Sequence, residues 1–282
     1  MSTTARKRSA GIPIGNVVRV LFLAAITIFY LFPIAWAALT SLKTNLDINS
    51  STPVLLFAPT LSHWETVVNE WGLPQFMINS LIIAGTATIL ALVFGTMAAY
   101  ALSRSGIRAR KAIALEILSL KMLPPIVAVV PLFVLGKNLG LFNTHGYVIA
   151  IYTLFSLPFA VWVLLGFIDE IPREIDEAAF VDGASTPQAL RHVILPLAMP
   201  GIAAVGLLTF ILNWNEYLVA SVLLAGDNRT APVITALAIQ PRGVLWGPAN
   251  AAAIATVLPV VVLSLLAQRW IVRGLSLGAV KS

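Results

Sequence analysis

Residues 169–192 read DEIPREIDEAAFVDGASTPQALRH, the longest polar stretch between the apolar runs that make up most of this chain. On one side stands Gly146 to Phe167 and on the other Leu195 to Leu224. Each is long enough to supply the roughly 20 apolar residues that a helix needs to cross a hydrocarbon core. Outward from these, Val20 to Leu39, Phe76 to Leu102, Ala112 to Leu135 and Ala249 to Ile271 have the same character. Six spanning helices are expected. Prolines at Pro33, Pro124, Pro125, Pro131, Pro158, Pro200 and Pro259 fall within them. A spanning helix accepts these when neighbouring groups satisfy the freed carbonyls, so kinked, packed helices are implied. Gly85, Gly95, Ala98 and Ala99 let the second span approach its neighbours closely.

Composition agrees. Of 282 residues, 59% are hydrophobic and 11% charged, with mean hydropathy +0.91. A soluble domain carries about 25% charged residues. The net charge is +6 and the pI near 9.9, but the basic residues lie between apolar runs and form no patch for phosphates, which excludes a nucleic-acid partner. Arg6, Lys7 and Arg8 precede the first run, and Ala35-Trp36-Ala37 has the look of a cleavage site. That run exceeds the roughly 7 to 15 apolar residues of a signal peptide, so it is read as an uncleaved first span. With no cysteine, disulfides, thiolate metal sites and thiol catalysis are excluded.

Counting Lys and Arg, 13 lie on the side that holds both termini and 4 (Lys43, Lys137, Arg229, Arg242) on the other, with Lys121 inside a span. The positive-inside rule therefore puts both termini in the cytoplasm. The whole chain, 1–282, is one transmembrane domain. It has a cytoplasmic segment 1–19, an external loop 43–75, a cytoplasmic loop 169–194 and a cytoplasmic tail 272–282.

In the external loop, Ser62 and Glu65 have capping-box spacing. Trp64, Val67, Val68 and Trp71 recur at helical intervals until Gly72 and Pro74. An amphipathic helix follows, resting at headgroup level or docking an external partner. His63 is expected to be a solvated helix residue.

Two short helices are written into the cytoplasmic loop. Pro172 suits a first turn, Glu174, Asp176 and Glu177 suit the positive end of a helix dipole, and Gly183 can end the helix with a positive φ. Ser185 and Gln188 form a second capping-box pair, and that helix runs on into Leu195-Pro196. Ala178 and Ala179 leave one side of the first helix without bulk, open to another protein's surface.

Glu177-Ala178-Ala179, three residues, Gly183, nine residues, then Val193-Ile194-Leu195-Pro196 resembles the EAA loop of ABC importer permeases, with Val193 where isoleucine is usual. Phe32-Pro33, Ser41-Leu42-Lys43, Asn79-Ser80, Trp214-Asn215-Glu216 and the closing Gln268-Arg269 through Gly278-Ala279-Val280-Lys281 resemble the carbohydrate-import branch, so nearly the whole chain is covered. The resemblance implies an all-α permease of the type I importer architecture in the bacterial inner membrane. It would pair with a second permease subunit, as a heterodimer. Two ATPase subunits would dock beneath, carrying ATP and Mg, and an extracytoplasmic binding protein would deliver a carbohydrate or polyol from above. Glu177, Ala178, Ala179, Asp182, Gly183, Val193, Leu195 and Pro196 would couple to the ATPase. No phosphate-binding G-x-x-x-x-G-K-[ST] loop occurs, so ATP is expected on the partner subunits and no cofactor or catalytic residue on this chain.

Two charges lie in spans. Lys121 belongs inside the bundle because an unpaired lysine at the bilayer centre costs about 2.5 to 3.5 kcal/mol. Glu116, five residues away, is off the favoured contact spacings. Lys121 lines the solute path or snorkels toward the cytoplasm. Glu216 with Asn213, Trp214 and Asn215 offers donors, acceptors and a ring face for sugar, or else an interhelical polar clasp. The runner-up function, an ion-coupled secondary transporter, needs membrane carboxylate relays and internal repeats, and neither is seen.

The charge asymmetry makes a direct prediction. Probes at both termini and at Ser105 will be reached from the cytoplasm, and one at Ser50 from outside. Labelling of Ser50 from the cytoplasmic side alone would overturn this topology.

Overall fold

Prolines decide where the apolar runs bend and where they break. The computed structural model describes residues 14–241 and 243–279, with side chains for 18–241, 243–266 and 268. Arg6, Lys7, Arg8, Arg242 and Lys281 fall outside the described residues.

The helices are α1 (Ile14–Thr40), α2 (Asn45–Ile48), α3 (Ser62–Glu65), α4 (Leu73–Arg104), α5 (Arg110–Ser119), α6 (Pro125–Asn138), α7 (His145–Asp169), α8 (Arg173–Val181), α9 (Thr186–Ala189), α10 (Leu195–Trp214), α11 (Leu218–Leu223), α12 (Ala231–Ile234) and α13 (Trp246–Ala279). A two-residue hairpin, β1 (Ile239–Gln240) with β2 (Gly243–Val244), precedes α13. Among the described residues, five helices are long and apolar enough to cross a membrane, and a sixth span is counted if α5 and α6 are taken as one.

The third span differs from its expected form. Instead of one rod from Ala112 to Leu135, the chain turns by 78° between Arg110–Met122 and Pro125–Asn138. Leu123 and Pro124 each precede a proline, which disfavours helical ψ, and both are extended (ψ 119° and 129°). Elsewhere the helix survives its proline: Pro33, Pro131, Pro158, Pro200 and Pro259 all lie inside helices. The fifth span also departs from expectation, ending at Trp214 rather than Leu224. There the Glu216 carboxylate accepts the N–H groups of Val219 (2.9 Å) and Ala220 (3.2 Å), satisfying orphan donors at the start of α11.

α4 and α7 form the central pair, and α10 packs on both and on α13. The contact of α4 with α7 is close enough that a Cβ on Gly95 would come within 2.9 Å of the Ala160 Cβ. One apolar cluster, including Ala99, Leu164, Ile168, Ile194 and Val205, fills the end bearing the polar loop. Another, including Ile83, Ile151, Tyr152, Val219 and Leu223, fills the opposite end. The apolar stretch of α1 is not buried by any other part of the chain among the described residues.

The 43–75 loop is bound to the bundle. Helix α3 continues through a π turn over Thr66–Glu70. Val67 is fully buried, and Trp64 and Trp71 pack on a cluster with Phe76, Ile234, Ala251 and Ala252, so the apolar face meets protein and not headgroups. The Ser62/Glu65 capping box does not form. The helix starts at Ser62 itself, and the Thr60 hydroxyl accepts the Ser62 N–H (3.2 Å). His63 is buried, against the solvated position expected for it, and its Nε2 lies 2.9 Å from the Lys43 carbonyl oxygen. Only glycine fits at Gly247, where a Cβ would run into the His63 ring.

Candidate coupling site

Helix α8 begins after Pro172 and carries Glu174 and Asp176 in its first turn, where the helix dipole favours acid. Its far end is a Schellman motif. Gly183 donates to Phe180 O (3.0 Å), Ala184 donates to Ala179 O (2.9 Å), and Gly183 sits at φ +84°. Across the turn, the Gln188 side chain accepts the Ser185 N–H and hydroxyl, each at 2.8 Å, and starts α9. From Thr186 the helix runs to Trp214, with a π turn over Leu190–Ile194.

The faces of α8 divide cleanly. Asp176 and Ala179 are buried against the chain, whereas Glu177, Ala178, Phe180, Val181, Asp182 and Gly183 face outward, with Val181 86% exposed. Of the residues expected to couple, Glu177, Ala178, Asp182 and Gly183 form one exposed face. Ala179 turns inward, Val193 and Leu195 are half-buried, and Pro196 is exposed.

The anchor beneath α8 was missed in the sequence. Tyr100 and Arg104, one turn apart on α4, both reach Asp176. The Tyr100 hydroxyl donates to Oδ1 at 2.9 Å, and Arg104 Nη2 lies 2.7 Å from Oδ2. The Arg104 and Asp176 side chains are only 15% and 5% exposed. Arg104 also donates to Ile171 O (3.1 Å), and Arg173 to Ser103 O (2.8 Å). Arg110 joins Ser103 O (2.6 Å) and Asp169 Oδ1 (3.1 Å). The sequence held a signal for this: a tyrosine and an arginine at i, i+4 closing an apolar span, and an acid beside Glu177.

The residues considered for a solute path do not converge. Asn213 is buried, accepting from Ser156 (2.8 Å) and donating to Thr88 (3.2 Å). Trp214 is 1% exposed and donates to Thr256 O (3.0 Å). Glu216 accepts from the Tyr152 hydroxyl (2.7 Å) besides capping α11. Asn215 is exposed and bonds back to Ile211 O (2.9 Å). Lys121 donates to Phe155 O (2.9 Å), in the turn that Pro158 interrupts, beside a 320 Å³ cavity.

A multispan helical bundle with an anchored helix–turn–helix between two spans is the form of a membrane permease subunit. The chain belongs to the family of binding-protein-dependent transport system inner membrane components, which its residues 91–277 match. It is 36% identical over 259 residues to the trehalose/maltose transport system permease protein MalG of Thermococcus litoralis, covering 90% of this chain and 92% of that one. It is also 36% identical over 263 residues to the inner membrane ABC transporter permease protein YcjP of Escherichia coli, covering 92% and 94%. Its fold is that of a chain in the crystal structure of a bacterial ABC transporter involved in the import of the acidic polysaccharide alginate (TM-score 0.74, 21% identity, covering 96% of this chain and 100% of that one). The protein is thus a multi-pass inner-membrane permease subunit of an ABC importer. Nothing in the fold or the relatives supports the ion-coupled alternative.

Two outcomes follow from the site. Gly183→Val has open space for its side chain but must hold φ +84°, a strain of about 1 to 3 kcal/mol. Membrane levels will stay normal while ATPase retention or solute-stimulated ATP hydrolysis falls. Gly106→Val, also in open space, will be mild. Wild-type uptake and stimulation in Gly183→Val would remove this turn from the coupling route. Separately, Arg104→Met leaves a buried carboxylate unpaired and will cost about 3 to 5 kcal/mol. Adding Asp176→Leu will restore part of that stability in a thermal unfolding assay, and a strictly additive pair would contradict the clamp.

Proposed function

We propose that this subunit moves a carbohydrate or polyol into the cytoplasm, driven by ATP and Mg held on two separate ATPase subunits. It does so paired with a second permease subunit and supplied by an extracytoplasmic binding protein. The observation that carries the reading is the two-faced α8: Glu177, Ala178, Phe180 and Val181 are exposed to a partner, while Asp176 is clamped to α4. Apolar side chains at the centre of an exposed patch with acid beside them suit a cleft with basic edges. The sugar assignment is supported by the trehalose/maltose permease among the relatives. This chain binds no nucleotide of its own, in keeping with the missing phosphate loop, and the 169–194 loop and both termini lie in the cytoplasm.

The second permease subunit supplies the rest of the path. An open groove of 880 Å³ between α4, α10 and α13, lined by Gly85, Thr88, Gly206, Phe210 and Gln268, is available for it. Asn213, Trp214 and Glu216 then act mainly as an interhelical clasp, with Asn215 and Lys121 the members open to solute.

The test is reconstitution of the complex after co-expression with the neighbouring transporter genes, then a screen of sugars and polyols through the binding protein. A sugar or polyol will raise ATP hydrolysis several-fold over the basal rate. Stimulation by amino acids or metal ions in place of any sugar or polyol would refute the substrate assignment.

A further inference from the structure

At the end of the bundle opposite the coupling loop, a cavity of 440 Å³ opens between the last turn of α1, helix α2, residues 50–54 and the first turn of α13. Lys43 lines it yet is only 3% exposed. Its backbone is fixed on both sides, the N–H donating to Thr40 O and the carbonyl oxygen 2.9 Å from His63 Nε2. Its ammonium stands 4.5 Å from the Trp36 ring centroid and 5.3 Å from that of Phe57. Among the described residues no carboxylate is within ion-pair distance, since the two ion pairs found, Arg104–Asp176 and Arg110–Asp169, are both at the other end. Asp47 lines the same cavity, but its Oδ2 is held on α2 by the Thr44 hydroxyl (2.7 Å) and N–H (3.4 Å), and the carboxylate stays beyond ion-pair distance of the Lys43 ammonium.

A nearly buried lysine whose ammonium has no counter-charge is costly, and aromatic faces offset only part of that cost. The rest of the wall is mixed, with Thr40, Ser50 and Thr52 beside Ile48, Pro53 and Val54 and two tryptophans. Trp36 is stacked on Phe32 and faces Lys43, so its ring is occupied, whereas Trp246 is 56% exposed at the rim. Asn250 donates to Trp246 O (2.7 Å), which leaves its Oδ1 free to accept. The volume lies within the roughly 300 to 1,000 Å³ of small-molecule sites.

We propose that this cavity binds an acidic saccharide on the outer face of the permease, its carboxylate at Lys43, the apolar face of its ring on Trp246 and a hydroxyl at Asn250. The charge is what selects. A neutral sugar leaves the ammonium uncompensated, and a simple carboxylate forgoes the ring face. The site rests on the reading of this chain as a sugar permease with residues 43–75 outward, and extends it to a recognition step made by the membrane subunit itself.

The assembled complex in phosphatidylcholine nanodiscs is titrated with glucuronate and with glucose, without binding protein, and followed by calorimetry. Glucuronate will bind saturably and at least about tenfold more tightly than glucose. Lys43→Met will remove that preference. Trp246→Leu, at a position 56% exposed in the subunit, will weaken both sugars. No saturable glucuronate binding by the wild type, or binding unchanged in both variants, overturns the proposal. So does loss of glucuronate binding when phosphatidylglycerol is added to the nanodiscs, which would assign the cavity to a lipid headgroup. Sugar-stimulated ATP hydrolysis through the binding protein is measured on the same preparation. If it persists without glucuronate binding, only this site fails, and if it is absent for all sugars, the sugar-permease reading fails.

Discussion

The carboxylate of Asp176, sealed between Arg104 and Tyr100, is the constraint on which the coupling end of the molecule depends. An exposed helix held in one place must present its surface freely and still not move independently of the bundle. The chain meets both demands with one residue step. Glu177 points out and Asp176 points in, so the same turn of α8 carries the exposed face and the anchor. Replacing this ion pair by apolar packing would often be neutral for stability. A charge pair, however, also fixes register, and the carbonyl contacts of Arg104 and Arg173 to Ile171 and Ser103 tie the start of α8 in the same way.

Legibility followed the physics of each signal. The spans could be read because about 20 apolar residues in a row have few other uses. The turn at Gly183 could be read because a helix ending in αL demands glycine, and the Schellman bonds are present. The Ser185/Gln188 pair was legible for the same local reason. What failed was set by distant partners. Nothing near His63 in sequence says that Lys43 O and the bare face of Gly247 close over it. Likewise Glu216 read equally well as a solute contact, and only the fold gives it Tyr152 and the N–H groups of α11.

The third span shows local and global rules in competition. Hydropathy over Ala112 to Leu135 asks for one rod, while Pro124-Pro125 forces two residues into extended conformation. The dihedral restriction is a local steric one and wins. Its consequence is chemical, since the bend sets Lys121 against the Phe155 carbonyl and opens a cavity beside Pro158. Lys121, expected inside the bundle, is instead exposed, and the Phe155 carbonyl is its partner.

The continuous helix from Thr186 to Trp214 has the proportions of a lever. Its 29 residues make a bar about 43 Å long. A tilt of about 10° around its midpoint would sweep each tip through about 4 Å in opposite directions. One tip adjoins the exposed turn at Gly183. The other carries Asn213 and Trp214, latched to Thr88, Ser156 and Thr256 on three other helices. A rigid bar delivers a push at one tip to those latches with little loss. The π turn at Leu190–Ile194 and the missing backbone donors at Pro196 and Pro200 are the places where such a bar would flex, and they would set how much of a push arrives.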